Sequence, residues 1–162
     1  MKDGEKVGGV ILRVNGDKGD LDILFVTPKG HSKGISDRAD KAVQLKMFGG
    51  YNCSQAVTAA LADQTGVTEE QLKSVAAGFC AGMGNLEATC GALIGAVMVA
   101  GLKSEGKGTL QMARRIQEAF RDRCGAIKCR DLKTMTDGKP LCPCEECVRN
   151  AVMIYGEIMG LE

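Results

Sequence analysis

Ala88-Thr89-Cys90-Gly91-Ala92-Leu93-Ile94-Gly95-Ala96-Val97-Met98-Val99-Ala100-Gly101 contains no charged residue and has one cysteine near its head. A bilayer span needs about 20 apolar residues, so this shorter run reads as a helix buried in a protein core, with the other helices wrapped around it. Thr89 suits the N-cap. That would put the Cys90 thiol in the first turn, at the positive end of the helix dipole, where a thiolate is favoured. Gly91 and Gly95 lie one turn apart on one face, where a neighbouring backbone can come close.

The rest of the chain fits an α-helical bundle. Its 162 residues suffice for one domain with a proper core. Only 4% of residues are aromatic and none is tryptophan, so Ala, Leu, Ile, Val and Met must build that core. This composition suits closely packed helices. The net charge of +1, without long runs of one sign, argues against a nucleic-acid or anionic-membrane surface and leaves small molecules or proteins as partners. Met1-Lys2-Asp3-Gly4-Glu5-Lys6 lacks the pattern of a secretory signal, which predicts a cytoplasmic protein.

Residues 7–27 have a different texture. Val10 to Val14 and Leu21 to Val26 flank a turn-rich Asn15-Gly16-Asp17-Lys18-Gly19-Asp20, predicting an N-terminal β-hairpin. Asp17, Asp20 and Asp22 do not follow calcium-loop spacing and read as a solvated turn. An isolated hairpin is marginal in water, so it must pack on the helical body or pair with a second copy, making a homodimer through the hairpin an expectation. A polar linker from Pro28 to Gly34 holds the only histidine, His31. The predicted organisation is residues 1–34 as hairpin and linker and 35–162 as the helical domain.

Within that domain, Ser36 caps a predicted helix over 37–48. Asn52 with Gln55, and Thr68 with Gln71, mark two further helix starts. Gly78 to Asn85 reads as a glycine-rich loop matching neither a Walker A loop nor a dinucleotide fingerprint. A charged amphipathic helix over 107–123 and a C-terminal helix reaching Met159 complete the bundle.

There are eight cysteines: Cys53, Cys80, Cys90, Cys124, Cys129, Cys142, Cys144 and Cys147. In a reducing compartment that density points to metal or redox chemistry before a disulfide framework. Cys144-Glu145-Glu146-Cys147 is a CxxC at a helix start, which Cys142 extends to CxCxxC. Zinc and iron–sulfur sites use such knuckles, as do thioredoxin-like enzymes, whose βαβ context is missing here. With no second CxxC, spacing leaves a metal site, a redox dithiol and free thiols all open. Cys80 and Cys124 have apolar neighbours, Phe79 and Ala126, and read equally well as buried inert thiols.

Tyr51-Asn52-Cys53-Ser54-Gln55-Ala56-Val57, Thr89-Cys90-Gly91-Ala92-Leu93-Ile94-Gly95-Ala96, Cys129-Arg130-Asp131-Leu132 and Cys147-Val148-Arg149-Asn150-Ala151-Val152 together resemble the family named for its C_GCAxxG_C_C cysteine pattern, to which a redox role is attributed. The resemblance covers about residues 38–160 and implies that Cys53, Cys90, Cys129 and Cys147 are the family cysteines. Some cytochrome-like relatives of that family carry haem and an iron–sulfur centre. Covalent haem is excluded here, because there is no CxxCH and His31 lies in the linker. The hairpin and the additional Cys80, Cys124, Cys142 and Cys144 depart from the family pattern.

Helix ends at Cys53 and Cys90, and the flanking Lys128 and Arg130 at Cys129, predict lowered thiol pKa values. The family set matches the ligand number of zinc or an iron–sulfur cluster. The expectation is a cytoplasmic redox protein in which these four thiolates hold an iron–sulfur cluster and exchange electrons with a redox partner protein. Two alternatives stand beside it. One is a metal-free dithiol–disulfide enzyme or sensor using Cys129 with Cys147, or Cys144 with Cys147. The other is a structural zinc module that assembles through its hairpin.

Overall fold

The computed structural model describes residues 11–14, 21–24 and 34–162. Contacts divide the chain into two units, Met1–Ser32 and Lys33–Glu162. In the first, β1 (Ile11–Val14) pairs antiparallel with β2 (Leu21–Leu24), with Ile11 opposite Leu24 and Val14 opposite Leu21. Asp17, Asp20 and His31 lie outside the described residues.

The second unit is mainly helical. Its helices are α1 (Ile35–Met47), α2 (Cys53–Ala60), α3 (Glu69–Ala76), α4 (Gly91–Lys103), α5 (Thr109–Cys124), α6 (Cys129–Leu132) and α7 (Cys144–Met159). Two sequence-marked starts are built as expected. Asn52 and Thr68 each accept from the backbone N–H three residues on, and the side chains of Gln55 and Gln71 return the bond. Such reciprocal caps satisfy donors that the first helical turn leaves unpaired. Ser36 does not cap α1; Gly34 precedes that helix without a side-chain cap bond.

The start of α4 also differs from the sequence reading. Thr89 bridges to Lys128, and the Cys90 N–H donates to the Ile127 carbonyl at 2.8 Å. That pairing keeps the backbone extended through Cys90, which therefore takes the N-cap position itself. A small hairpin, β3 (Met135–Thr136) with β4 (Lys139–Pro140), follows α6. Asp137 and Gly138 both take positive φ there, as a tight hairpin turn requires.

α4 packs against α2, α5 and α7, and α7 also packs against α1, α2 and α5. On α4, Ala92, Leu93, Ala96, Val99 and Ala100 are buried, whereas Ile94, Val97 and Met98 are half-buried and Leu102 is exposed. The apolar run thus buries one broad face, and α7 fills the rest of the interior with Val148, Ala151, Val152, Ile154 and Tyr155. Burying each large aliphatic or aromatic side chain contributes about 1.5–3 kcal/mol, and Leu61, Leu93, Ile116 and Phe120 add to the same core.

Two glycines set the spacing around Cys90. A Cβ at Gly95 would stand 3.0 Å from the Ser54 carbonyl oxygen and 3.1 Å from Val57 Cβ, so α2 and α4 meet almost backbone to backbone. A Cβ at Gly91 would stand 2.3 Å from the Phe79 carbonyl oxygen and 2.7 Å from Cys53 Sγ. Both close approaches were legible as a glycine pair one turn apart.

Candidate metal centre

All eight cysteines are free thiols, and helix ends position most of them. Cys53, Cys129 and Cys144 open α2, α6 and α7, Cys90 caps α4, and Cys124 closes α5. Cys147 lies one turn into α7, and Cys142 precedes that helix, its N–H held by the Leu132 carbonyl at 3.1 Å. The four residues Cys90, Cys124, Cys142 and Cys147 are all buried.

The Sγ atoms of Cys124, Cys142 and Cys147 lie within 4.8 Å of one another. Cys90 is not one of this triad, but its thiol interacts with the side chain of Cys147. Around one tetrahedral ion with metal–sulfur bonds of about 2.3 Å, thiolates stand roughly 3.8 Å apart, so small adjustments would let the triad share an ion. Asn150 donates its amide to Cys124 Sγ at 3.5 Å, and the Cys147 thiol points at the Cys142 carbonyl at 3.7 Å.

Electrostatics in this group run against a simple helix-end expectation. Cys124 sits at the C-terminus of α5, where the dipole disfavours a thiolate. Nevertheless its thiol is pulled down to about 4, chiefly by the side chains of Cys142 and Cys147, with Asn150 helping. Direct donors therefore outweigh the diffuse dipole. Cys142 is pushed up to about 11, mainly because its hydrogen serves Cys124, and Cys147 is raised for the same reason. Cys90 is lowered to about 7, first by Cys147 and then by the Ala92 and Leu93 N–H groups at the start of α4.

Of the four residues singled out by the family pattern, Cys90 and Cys147 come together. Cys53 and Cys129 are not in that triad, and the thiols whose charge acts on both are Cys80, Cys90 and Cys144. Their lowered pKa values are not realised. Burial pushes Cys53 up to about 11 despite its helix-start position, and burial raises Cys129 although Lys133 opposes the shift. Desolvation of a thiolate outweighs the dipole at these positions.

Cys124 and Cys142 are the members that sequence reasoning did not place in the site. Cys142 carried one signal, its adjacency to the CxxC. Cys124 lies 18 positions before Cys142 by residue number, and only the packing of α5 on α7 brings it in.

Cys53 is held by the cap that precedes it. Asn52, Ser54 and Gln55 bond the Ala77, Ala76 and Lys73 carbonyls at 3.0, 2.6 and 2.9 Å, locking the start of α2 to the end of α3. The following loop, Ala81-Gly82-Met83-Gly84, runs through four consecutive positive-φ residues at 48, 56, 58 and 89°. For Ala81 and Met83 that conformation costs of order 1 kcal/mol or more each, a cost typical of functional loops.

Residues 51–158 match the family model described as "Putative redox-active protein (C_GCAxxG_C_C)". The chain belongs to the C_GCAxxG_C_C family. The matched span contains every cysteine of the chain, the family positions Cys53, Cys90, Cys129 and Cys147 and the additional four alike. No curated protein and no solved structure shows significant similarity to the chain. No helix among the described residues is long and apolar enough to cross a membrane.

Proposed function

We propose that this member of the C_GCAxxG_C_C family is an electron-transfer protein in which Cys90, Cys124, Cys142 and Cys147 hold an iron–sulfur cluster. The observation that carries the reading is the mutual approach of the Cys124, Cys142 and Cys147 sulfurs within 4.8 Å. The donor set fits. Four buried thiols offer soft ligands and little hydrogen bonding to spare, and a buried thiolate group is costly unless a cation compensates it. When bound, the cluster supplies reversible one-electron capacity. The chain's own residues supply the rest: Asn150 steadies Cys124, the first turn of α4 favours the Cys90 thiolate, and the surrounding aliphatic side chains exclude water. The cytoplasm, a redox partner protein and self-association through the hairpin belong to the same proposal.

Anaerobic purification followed by iron and sulfide analysis and an absorption spectrum tests it. Stoichiometric iron and sulfide with charge-transfer bands, both diminished in C124S, are expected. A wild-type protein that stays colourless and iron-free after reconstitution would sink the reading. The closeness of the triad favours one further possibility, a single zinc ion with a structural role. Tightly held zinc without any redox response would establish it, and a thiol count that changes on mild reduction would instead indicate a disulfide couple.

A further inference from the structure

We infer that the other four cysteines, Cys53, Cys80, Cys129 and Cys144, form a second thiolate site that takes its own iron–sulfur cluster. The inference goes beyond the proposal for the buried group and uses none of Cys124, Cys142 or Cys147. The eight thiols sort by interaction into two sets. Cys124, Cys142 and Cys147 lie within 4.8 Å of one another and interact with Cys90, whereas Cys80 and Cys144, together with Cys90, are the thiols whose charge acts on both Cys53 and Cys129. Cys90 interacts with both sets and is assigned to the first by its interaction with Cys147.

Backbone geometry shapes the second set. Gly91 leaves room for Cys53 Sγ, which lies 2.7 Å from where a Cβ would be. Gly82 does the same for Cys129, whose Cβ is 3.0 Å from the corresponding position. The Ala81 N–H points at the Cys53 sulfur, and the left-handed run of residues 81–84 turns the chain sharply just after Cys80. Consecutive backbone amides in such turns form concavities that favour anionic groups, iron–sulfur clusters among them. The Cys129 N–H donates to the Ala88 carbonyl at 3.1 Å, fixing α6 beside this loop. Lys133 contributes positive charge near Cys129.

The choice of a cluster over a single ion follows from spacing. Among the described residues, only Cys124, Cys142 and Cys147 come within 4.8 Å of one another as a group of three. A lone tetrahedral ion needs sulfurs roughly 3.8 Å apart. In a [4Fe–4S] cluster each thiolate binds a different iron, so its four ligands need not crowd around one centre. Cys53, Cys80 and Cys144 are also partly solvent-exposed, unlike the buried set, so the second site is accessible to loading from outside.

The test uses the full chain, reconstituted anaerobically with ferrous iron and sulfide, as wild type, C80S/C144S and C124S/C142S. Iron and acid-labile sulfide per chain are measured, with circular dichroism to establish folding. Each double variant is expected to hold about half the wild-type iron. Wild-type iron content in folded C80S/C144S would overturn the second site and leave the first standing. Wild-type content in C124S/C142S would overturn the first and leave the second standing, and an iron-free wild type would overturn both. Should C80S/C144S fail to fold, alkylation of the wild type decides: iron loading should slow iodoacetamide modification of Cys80 and Cys144 at least tenfold, and an unchanged rate would refute the assignment.

Discussion

Gly91→Ala places one methyl group where Cys53, Cys90 and the Phe79 turn converge. Its Cβ would lie 2.3 Å from the Phe79 carbonyl oxygen and 2.7 Å from Cys53 Sγ. The first distance is about 1 Å inside ordinary van der Waals contact. The oxygen belongs to the backbone, so no rotamer change relieves the overlap. Either α4 or the Phe79 turn must move. Overpacking of this kind costs about 1–3 kcal/mol, and the helix-propensity gain of alanine over glycine offsets at most about 1 kcal/mol, less at a first-turn position. A net loss of about 2 kcal/mol is expected. Urea unfolding of the reduced protein under anaerobic conditions measures it, with Gly78→Ala as control. A Cβ at Gly78 meets nothing within 4 Å, so that variant should be neutral or slightly more stable. Because the displaced atoms carry Cys53 and Cys90, iron loading should also fall in Gly91→Ala. Stability equal to or above that of the wild type would refute the claim that Gly91 is required for this close approach.

Gly95→Leu should destabilise the fold and weaken metal loading together, since α2 abuts that position at 3.0 Å; a folded variant with normal iron content would reduce Gly95 to a packing detail. Asn52→Ala removes the acceptor for Gln55 N–H and the bond to the Ala77 carbonyl, and should cost about 1 kcal/mol in denaturant unfolding. In the reduced, metal-free protein, Cys124 at about 4 lies below the free-thiol value of roughly 8.5. Its stabilisation is in place above that free value and is lost as pH falls toward 4, whereas that of Cys142, at about 11, is in place below the free value and is lost as pH rises through 11. The stability difference between wild type and C124S should therefore grow from pH 5 to about 8, and thiolate absorbance near neutrality should fall in the variant. Cadmium, a thiophilic probe, should raise the unfolding midpoint of the wild type with concentration, as binding to the folded state requires, and do so less in C124S.

Much of the fold is written locally. The capping boxes at Asn52 and Thr68 and the uncharged run after Cys90 each rest on interactions within a few residues, so the sequence reveals them. The α4 start was misplaced by one residue because a non-local contact, Thr89 with Lys128, holds Cys90 extended. The small hairpin at Asp137-Gly138 carried a recognisable turn signal within a segment otherwise polar enough to read as loop.

By itself, the sequence determined a mainly helical, cysteine-dense chain of the C_GCAxxG_C_C family and the glycines that let two helices meet beside Cys90. Only the tertiary structure decided which thiols are neighbours. Cys124 reaches Cys142 and Cys147 because α5 packs on α7, and the order of thiol acidities follows from those contacts and from burial. A helix dipole can be read from position along the chain, but desolvation and a donor from a distant segment depend on what folding places around each sulfur. At Cys53 and Cys124 those non-local terms exceed the local one.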